Sequence, residues 1–382
     1  MEFSNVLITT DDQLREFADR ASRSEVLAVD TEFLREKTYY PKLCLIQLGT
    51  DAEQVAVDPF AVKDAAPIAR LFSNPFITKV FHACSQDMEV LLPFCGGRLP
   101  WPLFDTQVAA SFVSDHCQIG YGALVEEYCG VSLPKAESLT DWSRRPLDAA
   151  QITYALDDVR YLPSIWRTMR AQLEERGRLG WVEPDFRRMA DPATYVHEPR
   201  EAYRRVKRVG NLSRRQLAVA REVAAWREER AAAIDRPRRR VLSDELVVEI
   251  AKRCPTSLDA LQRIRGVSAV SAADQAQIVA ASCRGVACPP QDCPEPEYHG
   301  RPSLDEECVC DLMYAFTRMV AEGEGIAPSM LASRDDLIHF LNSREGSPLA
   351  VGWRYEILGR HIEDLLEGRV GLTVKDGKVE LL

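Results

Sequence analysis

The stretch VLAVDTEF, residues 26–33, decides the fold of the N-terminal part of the chain. Four apolar residues lead directly into Asp30-Thr31-Glu32, so a buried strand is predicted to end in two acids. Residues i and i+2 of a strand point to the same face, and both carboxylates should therefore project together. Adjacent like charges are unfavourable unless a cation lies between them. The alternative is an ordinary acidic pair that faces water at a strand end.

Further strands are predicted on either side of helical segments. The strand signals are LCLIQLG (43–49), QVAVD (54–58) and KVFHA (79–83), and helical spacing follows at 11–21, 64–72, 86–94, 105–113, 120–129 and 148–175. The first three strands lie close together in the chain, which favours an antiparallel meander. The later alternation of helix and strand favours parallel strands added to the same sheet.

The rest of the chain is predicted to be helical between two linkers. Residues 176–210 combine Gly, Pro and Arg and indicate a linker, and the five prolines of 284–303 indicate a second one. Residues 211–283 carry helix caps at Ser213 and at Ser243 or Asp244, and Gly266 is a predicted terminator. Another helical block spans about 304–369, and the closing LTVKDGKVELL predicts a hairpin that turns at Asp376-Gly377.

Composition bounds the class of protein. A length of 382 residues predicts two or three domains, and 46% hydrophobic with 28% charged residues is typical of a globular chain. No apolar run is long enough for a transmembrane helix, and the start lacks the pattern of a signal peptide. Eleven scattered cysteines favour reduced thiols over a disulfide framework. We therefore expect a soluble, cytoplasmic protein.

The charge distribution is uneven along the chain. The net charge is −10, yet residues 199–240 hold 14 basic and 5 acidic side chains, while the segments before and after are acidic. Such a basic segment is typical of nucleic-acid contact, and the overall charge hides it. The alternative is a solvated helix face laced with i,i+4 ion pairs.

Two more motifs place candidate catalytic groups. Asp87 follows the strand KVFHA at the start of a helix, where a carboxylate also suits the helix dipole. Tyr154 and Asp158 stand four residues apart, so the phenol and the carboxylate share one helix face. The neighbouring Asp157 points away. Without a functional role, this helix would simply bury a tyrosine and carry a cap-like aspartate.

The order of these motifs resembles the DEDD exonuclease superfamily in its tyrosine-bearing branch. The sequence around these motifs is similar to that of the ribonuclease D family over about residues 5–175. The similar segments are DTEFLREKTYYPKLCLIQL, KVFHACSQDMEVLL, FDTQVAA and LTDWSRRPLDAAQITYALDDVRYL. Less specifically, LSRRQLAVAREVAAWREERA and VLSDELVVEIAKRCPTSLDALQRIRG resemble a helicase-and-ribonuclease-D C-terminal (HRDC) domain. All five catalytic positions of the family are present.

The resemblance implies an architecture and a reaction. The expected fold is α/β and ribonuclease-H-like, with a mixed five-stranded sheet at 1–175, a basic linker at 176–210, an HRDC domain at 211–290 and a second HRDC-like domain at 300–382. Asp30, Glu32, Asp87 and Asp158 match the family's metal ligands for two Mg²⁺ or Mn²⁺ ions, and Tyr154 matches the residue that positions the attacking water. The family's substrates would be tRNA precursors and other structured RNAs, which release nucleoside 5′-monophosphates.

Substrate contacts are predicted less directly. Phe33 suits stacking on the terminal base or core packing, His82 suits a nucleotide contact or a core position, and Gln47 lies near a motif. Arg145 suits a phosphate or the fixing of its own loop. Candidates for the RNA backbone are Arg204, Arg205, Lys207, Arg208, Arg214, Arg215, Arg238, Arg239 and Arg240.

The cysteine-rich segment raises the question of zinc. Cys283, Cys288 and Cys293 precede His299, Cys308 and Cys310, but this is not a usual ligand spacing, and structural zinc is not expected. The leading functional hypothesis is a metal-dependent 3′–5′ exoribonuclease without an obligate protein partner. A 3′–5′ DNA exonuclease and a non-catalytic RNA-binding scaffold are the alternatives.

Overall fold

The computed structural model describes residues 6–134, 140–196, 198–296 and 303–382, which form two compact units. The first unit comprises residues 6–32, 44–191 and 303–382. The second comprises residues 33–43 and 192–296. The loop that follows Glu32 thus belongs by its contacts to the second unit. No helix among the described residues is long and apolar enough to cross a membrane.

A mixed sheet of six strands forms the centre of the first unit, in the order β1-β4-β3-β2-β5-β6. Strands β5 and β6 run parallel to β2, and β3 and β4 are antiparallel, as expected. A two-residue strand, parallel to β4, adds a sixth strand to the expected five. The strands are β1 (Leu7–Ile8), β2 (Val26–Leu34), β3 (Lys42–Gly49), β4 (Gln54–Val57), β5 (Thr78–Phe81) and β6 (Leu103–Asp105).

Helices pack on this sheet, and a helix follows each of β1, β4, β5 and β6 in the chain. The apolar half of β2, Val26–Val29, is fully buried, as its unbroken hydrophobicity predicts for a central strand. The helices are α1 (Asp11–Ala21), α2 (Ala66–Ser73), α3 (Ser85–Phe94), α4 (Thr106–Val113), α5 (Tyr121–Cys129), α6 (Ala149–Arg160), α7 (Leu162–Glu175) and α8 (Leu179–Met189).

The prediction of a linker over residues 176–210 is wrong for residues 179–189, which form a helix. Helix α8 occupies 179–189 because Val182, Phe186 and Met189 form an apolar face that is buried in the first unit. The signal was obscured by Pro184, which lies inside this helix. The remaining part of this segment, from Pro192 to residue 210, belongs to the second unit and contains short 3₁₀ helices, including Pro199–Arg205.

The second unit is the helical block anticipated around residues 211–283. Its elements are α9 (Arg214–Ala233), α10 (Arg238–Val241), α11 (Asp244–Arg253), α12 (Leu258–Gln262) and α13 (Ala272–Ala287). Ser213 and Ser243 cap α9 and α11 as predicted. A Cβ at Gly285 would lie 2.4 Å from the Cα of Val219, so only glycine allows α13 to pack directly on the backbone of α9.

The segment of residues 33–43, which contains the loop between β2 and β3, is anchored within this second unit. The backbone N–H groups of Tyr39 and Tyr40 both donate to the carboxylate of Asp235, over 3.0 and 3.1 Å. The Tyr39 hydroxyl donates to Glu228, which also pairs with Arg238. The loop is therefore fixed by α9 and the turn that follows it.

The C-terminal helices belong to the first unit. They are α14 (Leu304–Glu324), α15 (Pro328–Leu331), α16 (Arg334–Asn342), α17 (Gly352–Arg354) and α18 (Arg360–Leu366), with a π-helical stretch at Tyr355–Gly359. Trp353 stacks on Trp181 of α8 with ring centroids 4.7 Å apart. The predicted hairpin is confirmed as β7 (Leu372–Lys375) and β8 (Lys378–Leu381), and Asp376 and Gly377 both adopt positive φ.

Candidate active site

Three carboxylates converge at the end of β2. Asp30 and Glu32 project from the same face of the strand, and Asp158 joins them from α6. One carboxylate oxygen from each residue lies within 4.8 Å of the others. Among the described residues this is the single group of three or more ligating side chains that could hold a metal ion.

Asp87, in the first turn of α3, lies close to these three carboxylates. This helix follows β5, which is parallel to β2, so the carboxyl ends of the two strands are adjacent. The Asp87 side chain is 7% exposed and accepts a hydrogen bond from the hydroxyl of Thr31, the residue between the two β2 acids. Its charge contributes to raising the pKa of both Asp30 and Glu32.

Helix α6 positions Tyr154 and Asp158. It begins at Ala149, slightly later than predicted, because Asp148 is the N-cap in a capping box with Gln151. Its last turn packs tightly on β3: a Cβ at Gly49 would lie 3.1 Å from the Val159 carbonyl oxygen. The half-buried phenol of Tyr154 is hydrogen-bonded to Asp158, one turn away, as the spacing predicts. Asp157 pairs instead with Arg160, at 3.1 Å.

Burial and mutual repulsion give the cluster unusual acidity constants. Burial first, and then the neighbouring carboxylates, raise the pKa of Glu32 to about 8 and that of Asp30 well above its usual range. Burial also raises the pKa of Asp87 and of Asp158 to about 7, although hydrogen bonds from Thr31 and Tyr154 oppose the shift. A site that resists full ionisation and offers only hard oxygen ligands is suited to divalent cations such as Mg²⁺ or Mn²⁺.

Two aromatic residues next to the site, Tyr121 and Trp142, were not predicted from the sequence. The hydroxyl of Tyr121 donates to the Asp157 carbonyl. Burial, and then the charges of Asp158 and Asp30, raise the pKa of this phenol. The ring of Trp142 lies 6.1 Å from that of Tyr154. Neither aromatic residue carries a local signal that separates it from a core residue.

Asp105 links the start of α4 to the loop that precedes α3. It caps α4 by accepting from the backbone N–H groups of Gln107 and Val108. Its other carboxylate oxygen accepts from the N–H of Cys84 at 2.8 Å. One fully buried side chain thus fixes the loop that leads into α3.

The predicted substrate contacts fall into different environments. Phe33 is half-buried and lies 5.6 Å from the guanidinium of Arg35. Gln47 is completely buried on β3, and neither amide atom has a hydrogen-bond partner among the described residues. The imidazole of His82 lies 2.9 Å from the hydroxyl of Thr106, and burial lowers its pKa.

All the side-chain donors of Arg145 are engaged within the protein, which favours the fixing of its own loop over a phosphate contact. Its Nε and one Nη2 hydrogen go to the carboxylate of Asp58, at 2.6 and 2.9 Å. The other N–H groups go to the carbonyls of Trp142, Arg144 and Cys44. All five donors are used, so Arg145 fixes the loop before α6 onto the sheet.

The basic residues predicted to contact the RNA backbone fall into two groups, those with partners within the protein and those without a side-chain partner among the described residues. Arg215 donates to the Gly285, Val286 and Cys288 carbonyls at the end of α13. Ion pairs hold Arg204, Arg214, Arg238 and Arg239. Four others are exposed and make no side-chain hydrogen bond or ion pair within the described ranges, namely Arg205, Lys207, Arg208 and Arg240.

The cysteines of the Pro-rich segment have ordinary surroundings. All eleven cysteines of the chain are free thiols. Cys288 and Cys293 pack against Ala218, and Cys283 contacts the Thr256 carbonyl. Cys308 is exposed and Cys310 is buried. His299, which was considered with them, lies outside the described residues.

Comparisons with known proteins agree with this arrangement. A family model described as "3'-5' exonuclease" matches residues 5–174, and an HRDC domain model matches residues 216–282. A ribonuclease D of Acidiphilium cryptum is 38% identical, covering 99% of this chain and 97% of its own length. A ribonuclease D of Sphingobium indicum is 37% identical, covering 98% of both chains.

The chain belongs to the ribonuclease D family. The crystal structure of Escherichia coli RNase D superposes with a TM-score of 0.83 at 32% identity, and the match covers 95% of this chain and 98% of that chain. The catalytic core of RRP6 from Trypanosoma brucei gives a TM-score of 0.57 at 26% identity over 74% of this chain. The chain is accordingly a hydrolytic 3′–5′ exoribonuclease of a divalent-metal-dependent family.

Substitution of Arg145 distinguishes a structural from a substrate-binding role in this ribonuclease D family member. Arg145→Gln should destabilise the protein by about 3 kcal/mol, because it leaves the buried carboxylate of Asp58 without its partner. Thermal unfolding followed by circular dichroism measures the effect, and R145Q/D58N should recover part of it. Arg144→Gln is the control, since that side chain is 83% exposed. An unchanged melting temperature with a raised KM would contradict this assignment.

The acidic cluster predicts a coupled dependence on pH and metal. Because the folded-state pKa values of Glu32, Asp87 and Asp158 exceed their ordinary values, the metal-free folded protein retains protons that the unfolded chain loses. Its free energy of unfolding should therefore fall as the pH rises from about 4.5 to about 8. Mg²⁺ or Mn²⁺ should raise the melting temperature more at pH 8 than at pH 6.

Calorimetry of the wild type and two variants tests this dependence. Asp30→Asn should abolish most of the increase caused by metal, whereas Asp12→Asn, at an exposed position, should leave it intact. An equal increase in wild type and Asp30→Asn would show that the metal binds elsewhere.

Proposed function

We propose that this exoribonuclease trims the 3′ ends of tRNA precursors and other structured RNAs in the cytoplasm, one nucleotide at a time. The observation that supports it is the group of Asp30, Glu32 and Asp158, beside a phenol hydrogen-bonded to one of them. The substrate class is supported by the E. coli relative, which is described as an exoribonuclease involved in structured RNA processing. The free thiols favour a reducing compartment. No obligate protein partner is proposed.

The four carboxylates are proposed to hold two divalent ions, Mg²⁺ or Mn²⁺. These ions, when bound, would supply an activated hydroxide and stabilise the departing 3′-oxygen, with release of a nucleoside 5′-monophosphate. Asp30, Glu32 and Asp158 offer oxygens to one common volume. Asp87 offers a fourth carboxylate, whose orientation is restrained by the hydroxyl of Thr31.

Tyr154 is proposed to orient the attacking water rather than to take its proton. Burial and the surrounding carboxylates raise the pKa of the phenol above its ordinary value, so it remains protonated at neutral pH. Its hydrogen bond to Asp158 fixes the hydroxyl at the edge of the acidic cluster. A protonated phenol can align a water molecule but cannot act as a general base.

Phe33, Gln47 and His82 remain proposed contacts for the terminal nucleotide. Phe33 directly follows Glu32, and its half-buried ring is suited to stacking on a base. Neither the Nε2 nor the Oε1 atom of Gln47 has a partner among the described residues, so both are available to hydrogen-bond a nucleotide. The proposed HRDC domain at 211–290 and the proposed HRDC-like domain at 300–382 would serve to bind RNA.

A denaturing-gel time course tests the reaction and the role of Tyr154. A tRNA with a 3′ extension, labelled at its 5′ end, should shorten by single nucleotides with Mg²⁺ or Mn²⁺ and not with chelator. Tyr154→Phe should lower kcat about tenfold to a hundredfold, because the water is less well oriented. Asp30→Asn should abolish shortening, and Asp157→Asn should retain it.

The same gel separates the alternative functions. Shortening of a matched DNA tail alone would identify a DNA exonuclease. Absence of shortening with either metal, together with RNA binding, would identify a scaffold.

The exposed basic residues should control RNA binding and not the chemistry. R205Q/K207Q/R208Q/R240Q should reduce the slope of log affinity against log salt concentration by about 3, since each lost phosphate contact removes about 0.7–0.9. Hydrolysis of a dinucleotide should be unchanged. The control K252Q/R253Q/R263Q/R265Q removes four exposed charges elsewhere in the second unit. Equal losses on tRNA and dinucleotide would refute this division of roles.

A further inference from the structure

A second group of arginines lines a cavity of about 640 Å³ in the second unit. Arg200 comes from the 3₁₀ helix Pro199–Arg205, Arg221 from α9 and Arg284 from the last turn of α13. Glu222 and Asp292 supply the two acids of the lining. None of these three arginines was among the sequence-based candidates for RNA contact.

All three guanidinium groups share one buried carboxylate. Glu222 is 8% exposed and accepts from Arg200 at 2.6 Å, and from Arg221 and Arg284 at 3.4 Å each. Arg221 is held further by the Asp292 carbonyl and the Cys288 sulfur. The shared carboxylate therefore gathers the three positive charges at one place before any ligand binds.

This arrangement contains more positive charge than the buried acid requires. One arginine is enough to pair a buried glutamate, and each additional guanidinium adds like-charge repulsion. Arg200 and Arg284 are 54% and 58% exposed, and neither the Nε and Nη1 of Arg200 nor the two Nη groups of Arg284 donate to any residue the structure describes. With Asp292 counted, the lining retains a net positive charge.

We infer that the Arg200–Arg221–Arg284 cluster is a binding site for a phosphate of the RNA backbone. Arginine presents a planar fork that matches phosphate oxygens, and its weak hydration lowers the cost of binding. Arrangement of the donors by Glu222 reduces the entropy lost when the ligand binds. The inference rests on the proposed RNA substrate, and it adds a phosphate contact apart from the four exposed residues named above.

The salt dependence of RNA binding tests the cluster. R200Q/R284Q keeps Arg221 on Glu222 and removes the two partly free guanidinium groups. Binding of the 3′-extended tRNA to the full chain is measured in chelator, which prevents cleavage, between 50 and 300 mM salt. The slope of log affinity against log salt should fall by about 1–2, and affinity at about 150 mM should fall roughly tenfold. Dinucleotide hydrolysis with metal should be unchanged.

Matched variants exclude trivial explanations. R253Q/R265Q removes two exposed positive charges of the same unit and should keep the wild-type slope. If R200Q/R284Q melts below the assay temperature, Arg284→Gln alone should show about half of the change. A wild-type slope in the folded R200Q/R284Q protein, or an equal loss in the control, would overturn the inference. Failure of the wild type to bind or shorten the tRNA would instead overturn the proposed function.

Discussion

The crowding of buried and half-buried carboxylates at the end of β2 is the constraint on which the rest of the site depends. Asp30 and Glu32 are held on one face of a central strand whose preceding residues are completely buried. The strand therefore fixes the direction in which both side chains leave the backbone. Their repulsion, together with burial, keeps the pKa values of the cluster high. The fold thus maintains a site in which a bound divalent cation would reduce the repulsion between the carboxylates.

Neighbouring elements are adapted to hold this unfavourable cluster in place. Thr31 and Tyr154 donate hydrogen bonds to Asp87 and Asp158, which partly offset their repulsion. Gly49 lets α6 approach β3 closely enough to bring Asp158 over the strand ends. Arg145 uses all five of its N–H donors to hold the loop before α6 in place. The geometry of the acidic cluster therefore depends also on residues outside it, such as Gly49 and Arg145.

Positive charge in the second unit is used in two ways. Most of the arginines that a charge count would assign to RNA are engaged in ion pairs or in capping a helix. Arg215 of α9, which donates to carbonyls at the end of α13, is the clearest example. The remaining exposed groups and the cluster on Glu222 are the ones with hydrogen bonds to offer. Net charge along the sequence is accordingly a guide to the segment and not to the individual contacts.

The sequence by itself determined the central strand, the order of the acidic motifs, the helix caps and the family, because these signals are local and have fixed spacings. Asp30 with Glu32 follows from the strand period, and Tyr154 with Asp158 follows from the helical turn. Tertiary structure alone decided the engagement of Arg145 by Asp58 and the meeting of Arg200, Arg221 and Arg284 on Glu222. It also decided the place of α8 in the first unit. Except for Arg221 beside Glu222, these contacts join residues well separated in the chain. No local pattern records which distant partner will satisfy a buried charge.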